Sequence, residues 1–360
     1  MNLTSPILHA KFKLNGLPYS SAEELLNFAD GLVTQGAPYE VSMARFLEEW
    51  LNFNDTISVA TSGSTGTPKE ISLSKQHMIN SAMATGAYFK VGVGTRALLC
   101  LSANYIAGKM MLVRAMVLGW DLHVVAPEKD ALTEYDNPYD FVAMVPYQLK
   151  HSIDALDKVK KLIVGGGAIS SELETQLHDK STEVFATYGM TETITHVAVR
   201  RVNGFARSEV FSALPDVKFS LDDRGCLVIE APKVSNGLVV TNDLVELHSS
   251  VSFEWLGRFD NVINSGGFKI KPEVIEAALS AYIKVPFIIT SEKDDALGER
   301  LILIIENASN GPAVDYSEAF TALPSHERPK KIYTLSEFPY TNTGKIKRSE
   351  VLQILLRHKK

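Results

Sequence analysis

The chain has 360 residues, 45% of them hydrophobic and 22% charged, enough apolar content for the cores of two or three domains. A net charge of -6 and an isoelectric point near 5.9 give no electrostatic case for nucleic acid or an anionic membrane surface as partner. The most apolar stretch, Met110 to Trp120, is interrupted by Arg114 and is too short to span a bilayer.

The first residues, Met1-Asn-Leu-Thr-Ser-Pro, lack a charged region followed by an apolar run, so no secretory signal is expected. Cys100 and Cys226 show no partner spacing, which suggests a reduced, cytoplasmic setting. Ser20-Ser-Ala-Glu23 has the form of a capping box and predicts a helix start ahead of Glu24. Met43, Phe46, Leu47 and Trp50 share a helical face and predict a second helix over about Val41–Phe53. After a Ser/Thr/Gly-rich segment, Lys75–Phe89 reads as a third helix. Strands Ala97–Leu101, Leu122–Val125, Phe141–Val145, Lys161–Val164 and Val184–Ala186 then alternate with helices Ile106–Leu118, Pro146–Leu156 and Ser171–Leu177. Such alternation predicts an α/β fold whose large N-terminal domain carries a mostly parallel sheet.

The texture changes after about residue 197. Short strands are expected at Val217–Leu221, Cys226–Ile229, Leu238–Val240 and Val245–Leu247, with a turn at Asp222-Asp-Arg-Gly225, which predicts a small β-rich subdomain over about 198–257. Beyond it come helix Pro272–Tyr282, strands Phe287–Thr290 and Leu301–Ile305, helix Tyr316–Ala322, strand Lys331–Thr334 and helix Arg348–Arg357. These predict a separate α+β C-terminal domain over 258–360, behind an N-terminal domain of 1–257, with the junction around Arg258–Asn261.

The segment Thr61-Ser-Gly-Ser-Thr-Gly-Thr-Pro-Lys69 carries the clearest chemical signal. Gly63 and Gly66 let the backbone close around a ligand, Thr61, Ser62, Ser64 and Thr65 supply hydroxyls, and Lys69 adds a cation. A loop of this kind can wrap phosphate oxygens with main-chain and side-chain donors. Its spacing is not that of a Walker A loop. By composition alone it would be an ordinary surface turn. Three later segments argue otherwise: Tyr188-Gly-Met-Thr-Glu-Thr193, Gly257-Arg-Phe-Asp260 running on to Ser265-Gly-Gly-Phe-Lys-Ile270, and Pro339 followed by Lys345-Ile-x-Arg348.

Together, these four segments closely resemble the core motifs of the adenylate-forming superfamily of acyl- and aryl-CoA ligases, carrier-protein adenylation domains and luciferases. The resemblance covers roughly residues 55–350. It implies a two-step reaction: a carboxylate attacks the α-phosphorus of ATP and releases pyrophosphate, and a thiol such as that of CoA then takes the acyl group from the adenylate. Neither step requires a covalent enzyme nucleophile, so the protein supplies positioning and charge stabilisation.

By the same resemblance, Thr61–Lys69 would hold the β- and γ-phosphates, and Gly165, Gly166, Gly167 and Ala168 with Tyr188 and Gly189 would form the adenine slot, Tyr188 packing on the base. Thr191 would bond the α-phosphate and Glu192 would hold Mg²⁺, an ion that favours oxygen ligands. Asp243, in Thr241-Asn-Asp-Leu244, would accept the ribose hydroxyls, with Asn242 standing where the family has glycine, and Arg258 would reach ribose or phosphate. Lys345 would be the catalytic lysine bridging carboxylate and α-phosphate. Asp260 matches the hinge about which a mobile C-terminal domain turns, presenting the thiol-transfer loop with Gly266 and Gly267.

The segment Tyr105-Ile-Ala-Gly108 through Arg114-Ala-Met resembles one in o-succinylbenzoate–CoA ligases of menaquinone synthesis, with Tyr105 in place of His and Ala107 in place of Ser. Arg114 is either the cation for the carboxylate that does not react or one half of a buried ion pair. His196 lies four residues beyond Glu192 and, if that segment is helical, would line the acyl pocket. Small molecules are therefore the expected partners: a carboxylate, ATP and CoA. Family members commonly carry a longer region before the phosphate loop than the 60 residues here. Either an N-terminal subdomain is trimmed to two helices, or a partner or second copy of the chain supplies its surface, as in a homo-oligomer. Transfer to a carrier protein, or a binding protein without activity, are the alternatives to a CoA ligase.

Overall fold

The computed structural model describes residues 7–60, 70–133, 135–307, 316–341 and 346–358. A hairpin of β1 (Lys13–Leu14) and β2 (Leu17–Pro18) precedes helices α1 (Ala22–Gln35) and α2 (Pro38–Leu51). The cap of α1 is Ser21, one residue later than the expected box. Its Oγ accepts from the Glu24 amide at 3.2 Å, while Glu24 takes the Ser20 amide and hydroxyl at 2.9 and 3.0 Å. Helix α2 begins earlier than expected because Pro38 is tolerated in the first turn, where an amide N–H has no intrahelical partner.

Strands β3 (Thr56–Ala60) and β4 (Glu70–Ser74) pair antiparallel, an element the sequence reading did not contain, and α3 (Lys75–Phe89) follows directly. Next come β5 (Arg96–Leu99), α4 (Ile106–Leu118), β6 (Asp121–Val124), β7 (Tyr139–Met144), α5 (Pro146–Ser152), β8 (Val159–Val164), α6 (Ser171–Leu177) and β9 (Glu183–Gly189). The expected helix Pro146–Leu156 is two pieces, α5 and a 3-10 segment Ile153–Lys158. Strands β6, β5, β7, β8 and β9 are mutually parallel neighbours, as the alternation required.

The sheet does not stop there. Strand β10 (His196–Arg201) pairs antiparallel with β9, and β11 (Val210–Ala213), β12 (Lys218–Leu221), β13 (Cys226–Glu230), β14 (Val239–Ser249) and β15 (Ser252–Arg258) extend the same sheet. Thirteen strands result, in the order β12-β13-β14-β15-β11-β10-β9-β8-β7-β5-β6-β1-β2. The two strands expected at Leu238–Val240 and Val245–Leu247 are one, β14, which keeps its ladder through the polar Thr241-Asn-Asp step. A second sheet of five strands contains β16 (Ile263–Ser265), β17 (Phe268–Ile270), β18 (Phe287–Asp294), β19 (Gly298–Glu306) and β20 (Lys331–Leu335), accompanied by α7 (Pro272–Leu279), α8 (Ser317–Thr321) and α9 (Arg348–His358). The molecule is an α/β protein with a large mixed sheet and a smaller C-terminal one.

Helices cover both faces of the large sheet. Leu25, Trp50, Met78 and Met110, from α1 to α4, join one apolar cluster with Phe141 and Ala198, while Leu149, Leu173 and Leu177 of α5 and α6 join another with Leu98 and Leu162. Helix α4 is buried along nearly its whole length, from Gly108 to Val117. Its six apolar side chains Met110, Met111, Leu112, Val113, Met116 and Val117 each contribute roughly 1.5–3 kcal/mol on burial, enough to offset the several kcal/mol that burying one charged group costs. The helix buries two such groups: Lys109, which pairs with Glu49 at 3.3 Å, and Arg114, which has no acidic partner among the described residues. Among the described residues no helix is long and apolar enough to cross a membrane.

Candidate active site

In an open α/β sheet, ligands bind beyond the carboxyl ends of parallel strands. Strand β8 ends there in Gly165, Gly166 and Gly167. Gly165 donates to the Met144 carbonyl at 3.1 Å, and a Cβ on it would lie 2.6 Å from Thr187 Oγ1, so a larger residue would force that hydroxyl off the Val164 carbonyl it bonds at 3.1 Å. Gly166 adopts φ +79°, where glycine alone is unstrained.

Strand β9 brings Tyr188 to the same end. Its hydroxyl donates to Asp243 Oδ2 at 2.7 Å, and its ring meets Phe253 edge-on at 5.1 Å. Burial, then the Asp243 charge, push the hydroxyl's pKa up, so it remains a donor. Asp243 is 6% exposed; its Oδ1 accepts from Trp255 Nε1 at 3.2 Å and lies 3.5 Å from Arg258 Nη1. Three residues predicted separately, Tyr188, Asp243 and Arg258, therefore form one cluster. The sequence reading missed Trp255. The alternation Phe253, Trp255, Gly257 was its signal, a strand that went unrecognised because Glu254 and Arg258 flank it with charge.

Beyond Tyr188 the chain turns sharply. A Cβ on Gly189 would sit 2.1 Å from the Thr195 carbonyl oxygen. Thr191–Thr193 forms a single 3-10 turn, and Ile194 follows at φ 66°, ψ −62°, with the Thr195 amide bonded to the Thr193 carbonyl at 2.7 Å. This is a γ-turn with positive central φ, rare and strained for a β-branched residue. Burial of the Ile194 side chain, 1% exposed, offsets the strain. The segment is consequently not helical, and His196 opens strand β10 instead of lying one helical turn past Glu192. Glu192 is exposed and has neither a hydrogen bond nor an ion pair among the described residues, leaving a single carboxylate available to a cation. Among those residues no cluster of three His, Cys, Asp or Glu groups is disposed to hold a metal.

His196 and Arg114, 82 residues apart in the chain, meet in the core. His196 is 6% exposed and Arg114 2%. Arg114 Nη2 lies 3.4 Å from His196 Nδ1, Arg114 Nε donates to Thr85 Oγ1 at 3.3 Å, and His196 Nε2 is 3.4 Å from the same hydroxyl. Thr85 in turn donates to the Ser81 carbonyl at 2.9 Å. A guanidinium only donates, so Nδ1 accepts and the imidazole proton belongs on Nε2. Burial, then the Arg114 charge, hold the histidine pKa well below 6.5, so the ring is neutral. Burial also lowers Arg114 to about 9. Of the two readings of Arg114, the buried ion pair has no carboxylate partner among the described residues, where the guanidinium meets only Thr85, His196 and the Met111 sulfur.

His196 also lines a cavity of about 480 Å³, together with Ser81, Ala84, Leu214 and Val234. Tyr105 is the 44% exposed residue preceding α4, away from that lining. Gly108 is required for packing, since a Cβ there would lie 2.2 Å from the Ser102 carbonyl oxygen. Asp260 accepts from Arg258 Nη2 at 3.2 Å, in the turn joining the two sheets. Gly266 and Gly267 make the tight β16–β17 turn at φ 56° and 86°. The loop Thr61, Ser62, Gly63, Ser64, Thr65, Gly66 to Lys69 connects β3 to β4 and lies outside the described residues, as does Lys345.

The family model described as AMP-binding enzyme matches residues 48–228. The chain belongs to this family. It is 27% identical over 275 residues to the 2-succinylbenzoate–CoA ligase of Escherichia coli (strain K12), a match covering 72% of this chain and 59% of that protein. The chain thus spans about three-fifths of that relative's length. Among solved structures, an acyl-CoA synthetase (AMP-forming)/AMP-acid ligase II-like protein from Dyadobacter fermentans is 38% identical with a TM-score of 0.61, covering 91% of this chain and 98% of its own. The o-succinylbenzoate CoA synthetase of Bacillus subtilis, in complex with ATP and magnesium ion, shares the fold at a TM-score of 0.71 and 18% identity, over 85% of this chain and 74% of that one.

Proposed function

We propose that this member of the AMP-binding family is an AMP-forming carboxylate–CoA ligase of the cytosol that activates o-succinylbenzoate for menaquinone synthesis. The observation that carries the substrate is the buried Arg114 guanidinium, which has no acidic partner among the described residues and lies directly behind His196, a residue that lines a cavity. A desolvated cation without a counter-ion favours an anionic ligand. An acid with two carboxylates would supply one to Arg114 and present the other to the nucleotide. Neutral His196 adds no charge and orients the guanidinium through its Nδ1 lone pair.

The reacting carboxylate would point toward Thr191, next to the Tyr188–Asp243–Arg258 cluster that we assign to adenine and ribose. Thr191 would donate to the α-phosphate, Gly165–Ala168 would border the base, and Gly189, lacking a side chain, would keep the turn tight. Magnesium, when bound, neutralises phosphate charge, and Glu192 is a suitable protein ligand because most of the ion's coordination comes from phosphate and water. The loop Thr61–Lys69 would hold the departing phosphates, and Lys345 would balance charge as the carboxylate attacks. CoA would then meet the adenylate along Gly266 and Gly267 after rotation about Asp260. The E. coli relative named as a 2-succinylbenzoate–CoA ligase and the B. subtilis structure with ATP and magnesium support this reading.

AMP release from Mg²⁺·ATP with o-succinylbenzoate, with and without CoA, tests it against benzoate and short fatty acids. CoA-dependent release with o-succinylbenzoate alone is the expected result. Turnover of a monocarboxylate at equal efficiency would overturn the substrate, and exchange without transfer to CoA would overturn the acceptor.

A further inference from the structure

Asn242 occupies a position where the resembling family carries glycine. The backbone does not explain the difference: among the described residues only Asn15, Lys90, Ile194 and Asp216 are non-glycine residues at positive φ. The asparagine therefore adds a side chain without changing the strand, and that side chain is fully engaged. Its Nδ2 donates to Asp260 Oδ2 at 3.2 Å and, more weakly, to Oδ1 at 3.4 Å. Its Oδ1 accepts from Arg224 Nη1 at 2.8 Å, which fixes the amide's orientation.

Both neighbours are themselves anchored. Arg224 donates to the Thr241 carbonyl at 2.9 Å and to Asp222 Oδ2 at 2.8 Å, and its guanidinium lies 5.2 Å from the centre of the Phe259 ring. Asp260 Oδ2 also accepts from Arg258 Nη2 at 3.2 Å, the same arginine that reaches Asp243. Residues Phe259–Asn261 form the short turn between β15, the last strand of the large sheet in chain order, and β16, the first of the small sheet. Asn242 thus clamps that turn onto strand β14, beside Asp243 and sharing Asp260 with Arg258.

We propose that Asn242 is a positioning residue that restrains the turn between the two sheets by holding Asp260. The inference rests on the reading of Asp260 as the hinge, but its test does not depend on catalysis. Hydrogen exchange of the peptide spanning residues 256–263 is measured in the full chain, wild type against Asn242→Gly, Asn242→Asp and Arg224→Ala. An exposed charge-assisted hydrogen bond sets the scale, so Asn242→Gly should raise exchange in this peptide about three-fold or more. Asn242→Asp should raise it further, because a second carboxylate repels Asp260, and Arg224→Ala should raise it less, because the amide loses only its orienting partner. The melting temperature should stay unchanged in all three. Equal exchange in wild type and Asn242→Gly overturns the proposal, as does a rise spread over the whole chain with a lowered melting temperature. ATP–pyrophosphate exchange on the same preparations judges the adenylation reading separately.

Discussion

Two polar sites lie at the same end of the large sheet and handle charge in opposite ways. Around Asp243 the protein supplies every counterpart: Tyr188, Trp255 and Arg258 all address one carboxylate. Around Arg114 the described residues supply neutral groups only, Thr85, His196 and the Met111 sulfur, although the guanidinium is the more deeply buried charge. The first arrangement stabilises the apo fold. The second costs stability, a cost that the proposed dicarboxylate substrate would offset by bringing a negative charge.

Substitution of each charge should therefore move stability in opposite directions. Arg114→Met should lower kcat/KM for o-succinylbenzoate by about 100-fold or more, the loss expected for one buried charged partner, while leaving the protein as stable as wild type or more so. Activity assays paired with thermal melts check this, and a destabilised Arg114→Met would break the contrast. Asp243→Ala leaves Tyr188, Trp255 and Arg258 without their acceptor and should cost about 2–4 kcal/mol of unfolding free energy in denaturant titrations, discounted because Arg258 is 41% exposed.

Protonation sharpens the same comparison. His196 is kept neutral by burial and by Arg114, so its folded pKa lies below its unfolded value of about 6.5. Below that pH the unfolded chain takes up a proton that the folded chain refuses, and stability falls as pH falls. His196→Gln should reduce the acid-side slope by up to about 1.4 kcal/mol per pH unit relative to wild type, from pH 6.5 down to the folded pKa. Burial lowers His77 and His123 too, which is why the difference between variants, and not the wild-type slope, is the measurement. The smallest effect concerns the strained turn between the sites. Ile194→Gly should be more stable than Ile194→Ala by about 1 kcal/mol, the reverse of the usual order, because glycine alone relaxes at φ 66°.

Local periodicity was enough for some elements and not for others. Helices α3, α4 and α6 have the bounds their apolar patterns predict, and α4 stops where Gly119 adopts φ 72°. Strands β10 and β15 were not legible: each carries charged residues within its span, and only pairing to neighbours makes them strands. Strand β14 read as two pieces because Thr241, Asn242 and Asp243 break its apolar run; the ladder and the Thr241 hydroxyl, bonded to the Leu227 carbonyl at 2.8 Å, carry it through. In the site, the motifs named Tyr188, Asp243 and Arg258 one by one, but not that they touch, and gave no hint of Trp255.

By itself, the sequence determined the family and the α/β order of elements, because motif spacing and apolar periodicity are local properties of the chain. Tertiary structure alone decided which of the described groups meet Arg114, which way His196 faces and what Asn242 holds. Each of those depends on which groups from distant segments share one low-dielectric volume or one surface turn, and no spacing along the chain encodes that.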